Sequence, residues 1–393
     1  MLTRLRLINY RSHSDTTLDL RPLNLFIGPV AAGKSNLFKA LLLIQNSVHR
    51  SLVELFPPGL GEFHWVRSRW AQQTDPIGFE IDIERLPGFP DERARYSLQI
   101  ADSPAGLYVL EESLVRDTVE APPQWIFRRM SRGQFMGEYG DVDPYEPTLL
   151  HRVWQKDARI KSDAPGVKFA KEVARALSRF GYYHLEASQL KSLGTGQSWD
   201  RIDYNGKRLP DFIAWAKFNE ANLHVYESLR AELEEVLPEL DAIIVTQASA
   251  DQQGLAISFK GHNGYIAAPD LSDGTLFTLG LLCLVHQPKR PALLCVEEPE
   301  TGLHPKRLRW LFDRFAMLTH PDNGSPTQVC LSTHSPYLVD LFREIPEAIQ
   351  LVEQSNGRSR VQTLNKIQTA LHVATGPGEA IGHEWATGLF EGL

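Results

Sequence analysis

The sequence predicts an α/β protein with a mixed, largely parallel sheet, carrying an inserted antiparallel β lobe and a helical lobe. Three observations predict it. An apolar run, Leu23 to Ile27, leads through a glycine-bounded loop into helical periodicity. A second apolar run, Ala292 to Val296, ends in the adjacent carboxylates Glu297 and Glu298. The last third alternates short apolar runs of the buried parallel-strand type with helical stretches.

The elements follow in order. Leu5 and Leu7 alternate with Arg4 and Arg6, which predicts a first strand; Thr17 to Leu20 predicts a second and Leu23 to Ile27 a third. Lys34, Leu37, Leu41, Ile44 and Val48 then follow a helical period. From Pro57 the runs become short and alternating, as in Phe79-Ile81-Ile83, Tyr96-Leu98-Ile100, Tyr108-Leu110 and Trp125-Phe127, which predicts a small antiparallel sheet. Phe169, Val173, Leu177 and Phe180 mark one helical face, and Leu223, Tyr226, Leu229, Leu233 and Val236 another. Ile243 to Val245, Leu255 to Phe259 and Gln328 to Leu331 read as strands. These changes of pattern divide the chain into a core of 1–56 and 242–393, a β-rich lobe of 57–145 and a helical lobe of 146–241.

Composition narrows the class. Of 393 residues, 42% are hydrophobic and 23% charged, which is ordinary for a globular protein able to bury a sizeable core. The net charge of −7 argues against a surface dominated by phosphate contacts. No apolar run reaches the length of a membrane span or a secretory signal, so a cytoplasmic location without membrane contact is expected. Cys283, Cys295 and Cys330 each lie in an apolar run, outside any metal or redox spacing, and are expected as buried thiols. His383-Glu384 has no second histidine four residues on, so it is not a zinc pair.

Four motifs carry chemistry. Gly28 to Ser35 fits the pattern G-x-x-x-x-G-K-S between an apolar strand and a helix, where backbone N–H groups cradle phosphates. Gly28, Ala32, Gly33, Lys34, Ser35 and Asn36 are therefore the candidate nucleotide contacts, with Lys34 reaching the outer phosphates and the Ser35 hydroxyl on Mg2+. Glu297 and Glu298 stand at the carboxyl end of a buried strand, where open α/β sheets bind ligands. Because strand neighbours point opposite ways, Glu297 is assigned to Mg2+ and Glu298 to the attacking water as general base. Leu271-Ser272-Asp273-Gly274-Thr275 opens an apolar helix, so Ser272 and Gly274 are either an N-cap alone or an anion-binding terminus. His334, in Ser332-Thr333-His334-Ser335-Pro336, follows the acidic pair by one strand–helix unit, which suits a γ-phosphate sensor.

In this order the motifs resemble those of the ABC-type ATPases, within them the RecF, OLD and SMC-head branch, and in particular short bacterial AAA-family ATPases without a long coiled coil. The run Glu297-Glu298-Pro299-Glu300-Thr301-Gly302-Leu303-His304-Pro305 and the signature Leu-Ser-Asp-Gly-Thr are similar to this branch rather than to transporters. Asn9-Tyr10-Arg11-Ser12 resembles its first-strand motif, whose basic and hydroxyl residues contact nucleotide, which implies that role for Arg11 and Ser12. Gly382 to Leu393 reads like its closing segment. The chain departs at Val30 and Ala31, where the family commonly has Asn-Gly. Alanine resists positive φ, so either nucleotide binds more weakly or the loop takes its shape only with nucleotide bound.

The resemblance implies an ABC-type head that binds ATP and Mg2+, forms a homodimer or an oligomer of dimers, and hydrolyses slowly. Ser272 and Gly274 then close in trans over ATP held by the partner's loop, while Lys34, Glu298 and His334 serve catalysis. It also implies a separate effector, commonly a nuclease in phage defence. A RecF-like DNA-binding ATPase and a non-catalytic nucleotide-bound scaffold are the alternatives. Lys34 and Ser272 are 238 residues apart, and the stretch between them holds no sustained heptads, unlike SMC arms. Fewer than 60 residues follow His334, too few for a Toprim domain. Basic residues flank aromatics at Arg67 and Arg69 (with Trp65 and Trp70) and at Arg128, Arg129 and Arg132, and Lys306, Arg307 and Arg309 form a third group. Local ion pairs are the first expectation for them and DNA contact the second.

Overall fold

The computed structural model describes the chain apart from residues 58–61, 119–120, 131–134, 138–144, 146–147, 157–164, 321–325, 365–380 and 387–393. Arg132 and the end of the closing segment therefore lie outside the described residues. Contacts divide the chain into two units, Met1–Phe180 with Ile345–Gly376, and Gly181–Glu344 with Pro377–Leu393.

The first unit starts with β1 (Leu2–Tyr10) and β2 (His13–Asp19), joined antiparallel. The short alternating runs after Pro57 become β4 (Ile77–Leu86), β5 (Phe89–Ser103), β6 (Gly106–Asp117), β7 (Gln124–Met130) and β8 (Phe135–Gly137). They join the sheet begun by β1, giving one seven-stranded antiparallel order β2-β1-β4-β5-β6-β7-β8. Alternation dictates this: Ile77, Phe79, Ile81 and Ile83 are buried, and so are Tyr96, Leu98 and Ile100 of the paired strand.

Between them, β3 (Leu23–Ile27) is buried at all five positions. It pairs in parallel with β15 (Ile349–Ser355), which pairs antiparallel with β16 (Arg358–Thr363). Helix α1 (Lys34–His49) buries Leu37, Phe38, Leu41, Ile44 and Val48, the face read from its period. Each such side chain contributes about 1.5–3 kcal/mol of burial, which anchors the loop that precedes the helix. Further helices are α2 (Leu52–Leu55), α3 (Phe63–Val66), α4 (Leu149–Trp154) and α5 (Pro165–Leu177). Phe180 does not extend the face of α5; it opens β9 (Phe180–Tyr183), because the helix stops at Leu177.

The second unit sets α6 (Ala187–Leu190), α7 (Leu209–Lys217) and α8 (Leu223–Val236) before a three-stranded antiparallel sheet of β10 (Leu240–Ser249), β11 (Gln252–Phe259) and β12 (Ile266–Ala267). Helix α9 (Asp273–His286) is buried on every side from Thr275 to Val285, as its unbroken apolar sequence requires. Then β13 (Leu293–Glu297), α10 (Pro305–Leu318) and β14 (Gln328–Ser332) form a strand–helix–strand unit with parallel strands in register, Glu297 opposite Ser332. β9 flanks β13. Helix α11 (Pro336–Leu341) follows β14. The three cysteines are buried thiols. Among the described residues, no helix is long and apolar enough to cross a membrane.

Candidate functional site

The loop from Gly28 to Gly33 runs between a fully buried strand and a well-anchored helix, so its ends are fixed. Gly28 has φ 145°, and a Cβ there meets the carbonyl of Val352 on β15. Gly33 has φ 111°, and a Cβ there meets the hydroxyls of Ser12 and Ser359. Both positions therefore demand glycine. Ala31, without that freedom, is nonetheless left-handed at φ 65°, its carbonyl accepting from Gln354 Nε2 at 3.2 Å. The tight turn is thus formed at this alanine, held in part by the Gln354 side chain. Val30 is 83% exposed.

Lys34 is buried, and its Nζ donates to the carbonyls of Gly28 at 2.7 Å and Pro29 at 2.9 Å. The ammonium is folded over the loop, and to reach a phosphate it must leave these carbonyls. Ser35 lies in the first turn of α1, a turn with no acidic residue and no side-chain cap, so the positive end of the helix is left to a ligand.

Ser12 joins this loop. Its hydroxyl accepts from Asn36 Nδ2 at 2.9 Å and lies 2.8 Å from Ser359 Oγ, and its carbonyl accepts from the Ser359 N–H at 2.8 Å. Ser359 Oγ also lies 2.5 Å from the Ala32 carbonyl. Arg11 has φ 50°, and its Nε is buried without a hydrogen-bond partner.

Sequence reasoning missed His13. It is fully buried, with Nε2 3.2 Å from the Gly33 carbonyl and Nδ1 3.0 Å from Thr16 Oγ1. A carbonyl only accepts, so Nε2 carries the proton and Nδ1 takes the Thr16 hydroxyl. Burial pushes its pKa down to about 4, against a smaller upward pull from the Gly33 hydrogen bond. No pattern marks His13 or Ser359, because fold closure brings them to the loop rather than chain proximity.

The carboxylates occupy the second unit. Glu297 closes β13, is buried, and has its Oε2 3.2 Å from His184 Nδ1, while its Oε1 is buried with no hydrogen-bond partner. Glu297 raises the pKa of His184 through their hydrogen bond, against partial burial. Tyr182 is also raised, by burial first and then by Glu297. Glu298 lies beyond the strand at φ 47°, its N–H donating to the Ser332 carbonyl at 2.9 Å. The two carboxylates therefore diverge through a left-handed residue rather than through the strand alternation assumed from sequence.

Glu298 Oε1 is 3.7 Å from His334 Nε2, so the structure brings the predicted base and the predicted sensor together. Glu300 holds this corner. Its Oε1 accepts from Thr333 Oγ1 at 2.7 Å and from the His334 N–H at 2.9 Å, and its Oε2 is buried without a partner. Glu300 was legible in the run of acidic residues but carried no assigned role.

Ser272 caps α9, accepting from the Thr275 N–H at 3.3 Å. Gly274 packs against Gly302, whose carbonyl a Cβ on Gly274 would strike. Asp273 pairs with Lys191 at 2.7 Å.

The basic positions are largely engaged. Arg67 meets Asp102 at 2.7 Å, Arg69 covers Trp70, Arg128 meets Glu111 at 2.9 Å, and Arg129 is buried beside Glu112. Lys306 and Arg309 are exposed.

Comparison with known proteins bears on this arrangement. The family described as "AAA domain, putative AbiEii toxin, Type IV TA system" matches residues 23–340, from β3 into α11. The chain belongs to this AAA-domain family. No curated protein was found to match it. Among solved structures, this AAA-domain chain is similar to an SmcHead bound to the C-winged helix domain of ScpA, with a TM-score of 0.54 at 11% identity over 93% of this chain and 99% of that one. It also aligns with an Smc head domain with an extended coiled coil, bound to the C-terminal domain of ScpA derived from Pyrococcus furiosus, with a TM-score of 0.49 at 11% identity over 95% and 98% of the two chains. The first likeness shows the fold, that of an SMC head, as the order of motifs implied.

Proposed function

We propose that the chain is an ATP-binding and ATP-hydrolysing switch that dimerises head to head around two ATP molecules and controls a separate effector. The observation that carries the reading is the loop Gly28–Ser35. Two glycines that tolerate no Cβ and a left-handed Ala31 shape a loop at the start of α1 that suits a phosphate.

The roles follow from chemistry. Backbone N–H groups of the loop and the start of α1 bind phosphate oxygens, with Arg11, Ser12, Ala32 and Asn36 around them. Lys34 exchanges its two carbonyl partners for the outer phosphates. Glu298 orients and deprotonates water, and His334 beside it reads the γ-phosphate. Ser35 and Glu297 suit Mg2+: a hydroxyl and one carboxylate, completed by phosphates and water, make an ordinary oxygen set, and Glu297 keeps one buried oxygen without a partner. A Mg2+ held by these residues would supply charge neutralisation on the phosphoryl oxygens. Ser272 and Gly274 act across the dimer.

The family description names a toxin of a type IV TA system, which supports a place in defence. An SMC head of this fold carries a domain of ScpA, which supports a protein partner such as an effector nuclease. The DNA-binding reading is weaker, because Arg67, Arg128 and Arg129 already face carboxylates. The scaffold reading is weaker too, since a base and a histidine 3.7 Å apart serve no purpose in a passive holder.

Light scattering with and without Mg-ATP, on wild type and Glu298→Gln, tests the switch. Wild type is expected to associate transiently with ATP and the variant to stay associated, with turnover down about 100-fold or more. A size that ignores ATP in both proteins sinks the proposal.

A further inference from the structure

We propose that His184 is a positioning residue for the metal: it holds one oxygen of Glu297 so that the other is presented to the cation. This rests on the proposed Mg-ATP site and deepens it.

Glu297 is the last residue of a strand buried at every position, and is itself 6% exposed. A carboxylate taken out of water needs partners for both oxygens. Here the two differ. Oε2 faces His184 Nδ1 at 3.2 Å, and Oε1, buried, has no hydrogen-bond partner. An orphaned buried oxygen on a residue otherwise held in place is what a metal-facing ligand atom looks like before the metal arrives.

His184 is fixed for this task by the backbone. β9 runs beside β13 and ends at Tyr183, and the next N–H, that of His184, donates to the Tyr204 carbonyl at 2.8 Å. That bond keeps the residue level with the end of β13. The ring then reaches Glu297 through Nδ1, the nitrogen nearer the backbone. Only the Nδ1–H form donates to a carboxylate, so the contact also sets the ring's orientation. Tyr182, two residues earlier, stacks on Tyr204 with centroids 6.4 Å apart and planes 9° apart, bracing the segment that carries His184.

A carboxylate free to rotate presents either oxygen or both, and a cation with strict octahedral demands then meets a variable ligand. The His184 donor on Oε2, together with the Tyr182 hydroxyl hydrogen-bonded to the same carboxylate, removes that freedom. Neither the acidic pair nor the phosphate-binding loop marks His184 in the sequence. It lies more than 100 residues before Glu297, after a segment read as helical.

The test compares wild type, His184→Ala and His184→Asn. Asparagine places its Nδ2–H where histidine places Nδ1–H. Two readouts are needed: Mn2+ affinity in the presence of a non-hydrolysable ATP analogue, followed by the loss of the free Mn2+ resonance signal, and affinity for a fluorescent ATP analogue in EDTA. The alanine variant is expected to lose about 10–100-fold in Mn2+ affinity. The asparagine variant is expected to recover most of it, and nucleotide affinity in EDTA to stay unchanged in all three, which also reports an intact fold. Wild-type Mn2+ affinity in the alanine variant overturns the positioning role, as does equal loss in both variants. If wild type itself shows no nucleotide-dependent Mn2+ binding, the Mg-ATP site fails first and His184 falls with it.

Discussion

The loop Gly28–Ser35 and the carboxylate corner around Glu297–Glu300 are built on opposite plans. Around Gly28–Ser35 the groups are largely engaged: Lys34 sits on two loop carbonyls, Ser12, Asn36 and Ser359 bond one another, and His13 closes on Gly33. Around Glu297 and Glu300, each carboxylate has one oxygen held and one buried without a partner. The first region spends backbone geometry to make a rigid mould. The second keeps charge in reserve, at the desolvation cost of an unsatisfied oxygen, about 1–3 kcal/mol each.

The largest expected effect breaks the mould. Gly33→Val puts a branched side chain at φ 111° and into the hydroxyls of Ser12 and Ser359. Strain and displacement together cost about 3 kcal/mol, so ATP affinity by fluorescence titration is expected to fall about 100-fold or more. Unchanged affinity refutes the rigid-mould description.

Next comes a pH effect confined to the first region. The folded pKa of His13 is about 4 against 6.5 in the unfolded chain, so between these values only the unfolded chain takes up the proton. The folded state is therefore penalised as pH falls through 6.5 towards 4, and unaffected by this group above 6.5. At pH 5 the penalty is about 2 kcal/mol relative to neutral pH. Denaturant titrations at pH 5 and pH 7.5 are expected to give a steeper acid loss for wild type than for His13→Gln. Parallel losses place the histidine's neutral latch elsewhere.

In the second region, Glu300→Ala frees both the Thr333 hydroxyl and the His334 N–H. Loss of two charge-assisted bonds is expected to lower kcat for ATP about 10-fold by loosening His334, with Glu300→Gln in between because its carbonyl still accepts both. A kcat that ignores both changes removes Glu300 from the positioning of His334.

This asymmetry also explains what the sequence made legible. α1, α5 and α8 were readable because each buries a face whose period repeats over several residues, and β3 and β13 because their runs are apolar and buried throughout. The loop Gly28–Ser35 and the pair Glu297–Glu298 were readable because their chemistry is local and contiguous. His13, Ser359 and His184 were not, because each acts on a partner brought near by the fold from elsewhere in the chain, as Ser359 is brought to Ser12, and Glu300 was visible in the acidic run without its role. The antiparallel sheet was foreseen as a lobe of its own. Its sharing of β1 and β2 depends on pairing across about 70 residues, which alternation alone does not reveal.

The smallest expected effect tests the mould at its least suitable residue. Ala31 has φ 65°, a conformation that costs alanine about 1 kcal/mol more than glycine. If that strain is already present in the free protein, Ala31→Gly relieves it in free and bound states alike. The variant is then expected to gain about 0.5–1 kcal/mol in denaturant titration while its ATP affinity changes less than twofold. If instead affinity rises severalfold at constant stability, the free loop relaxes out of the turn and nucleotide must restore it. The loop would then, like the carboxylate corner, be completed by its ligand, and the contrast between the two would disappear.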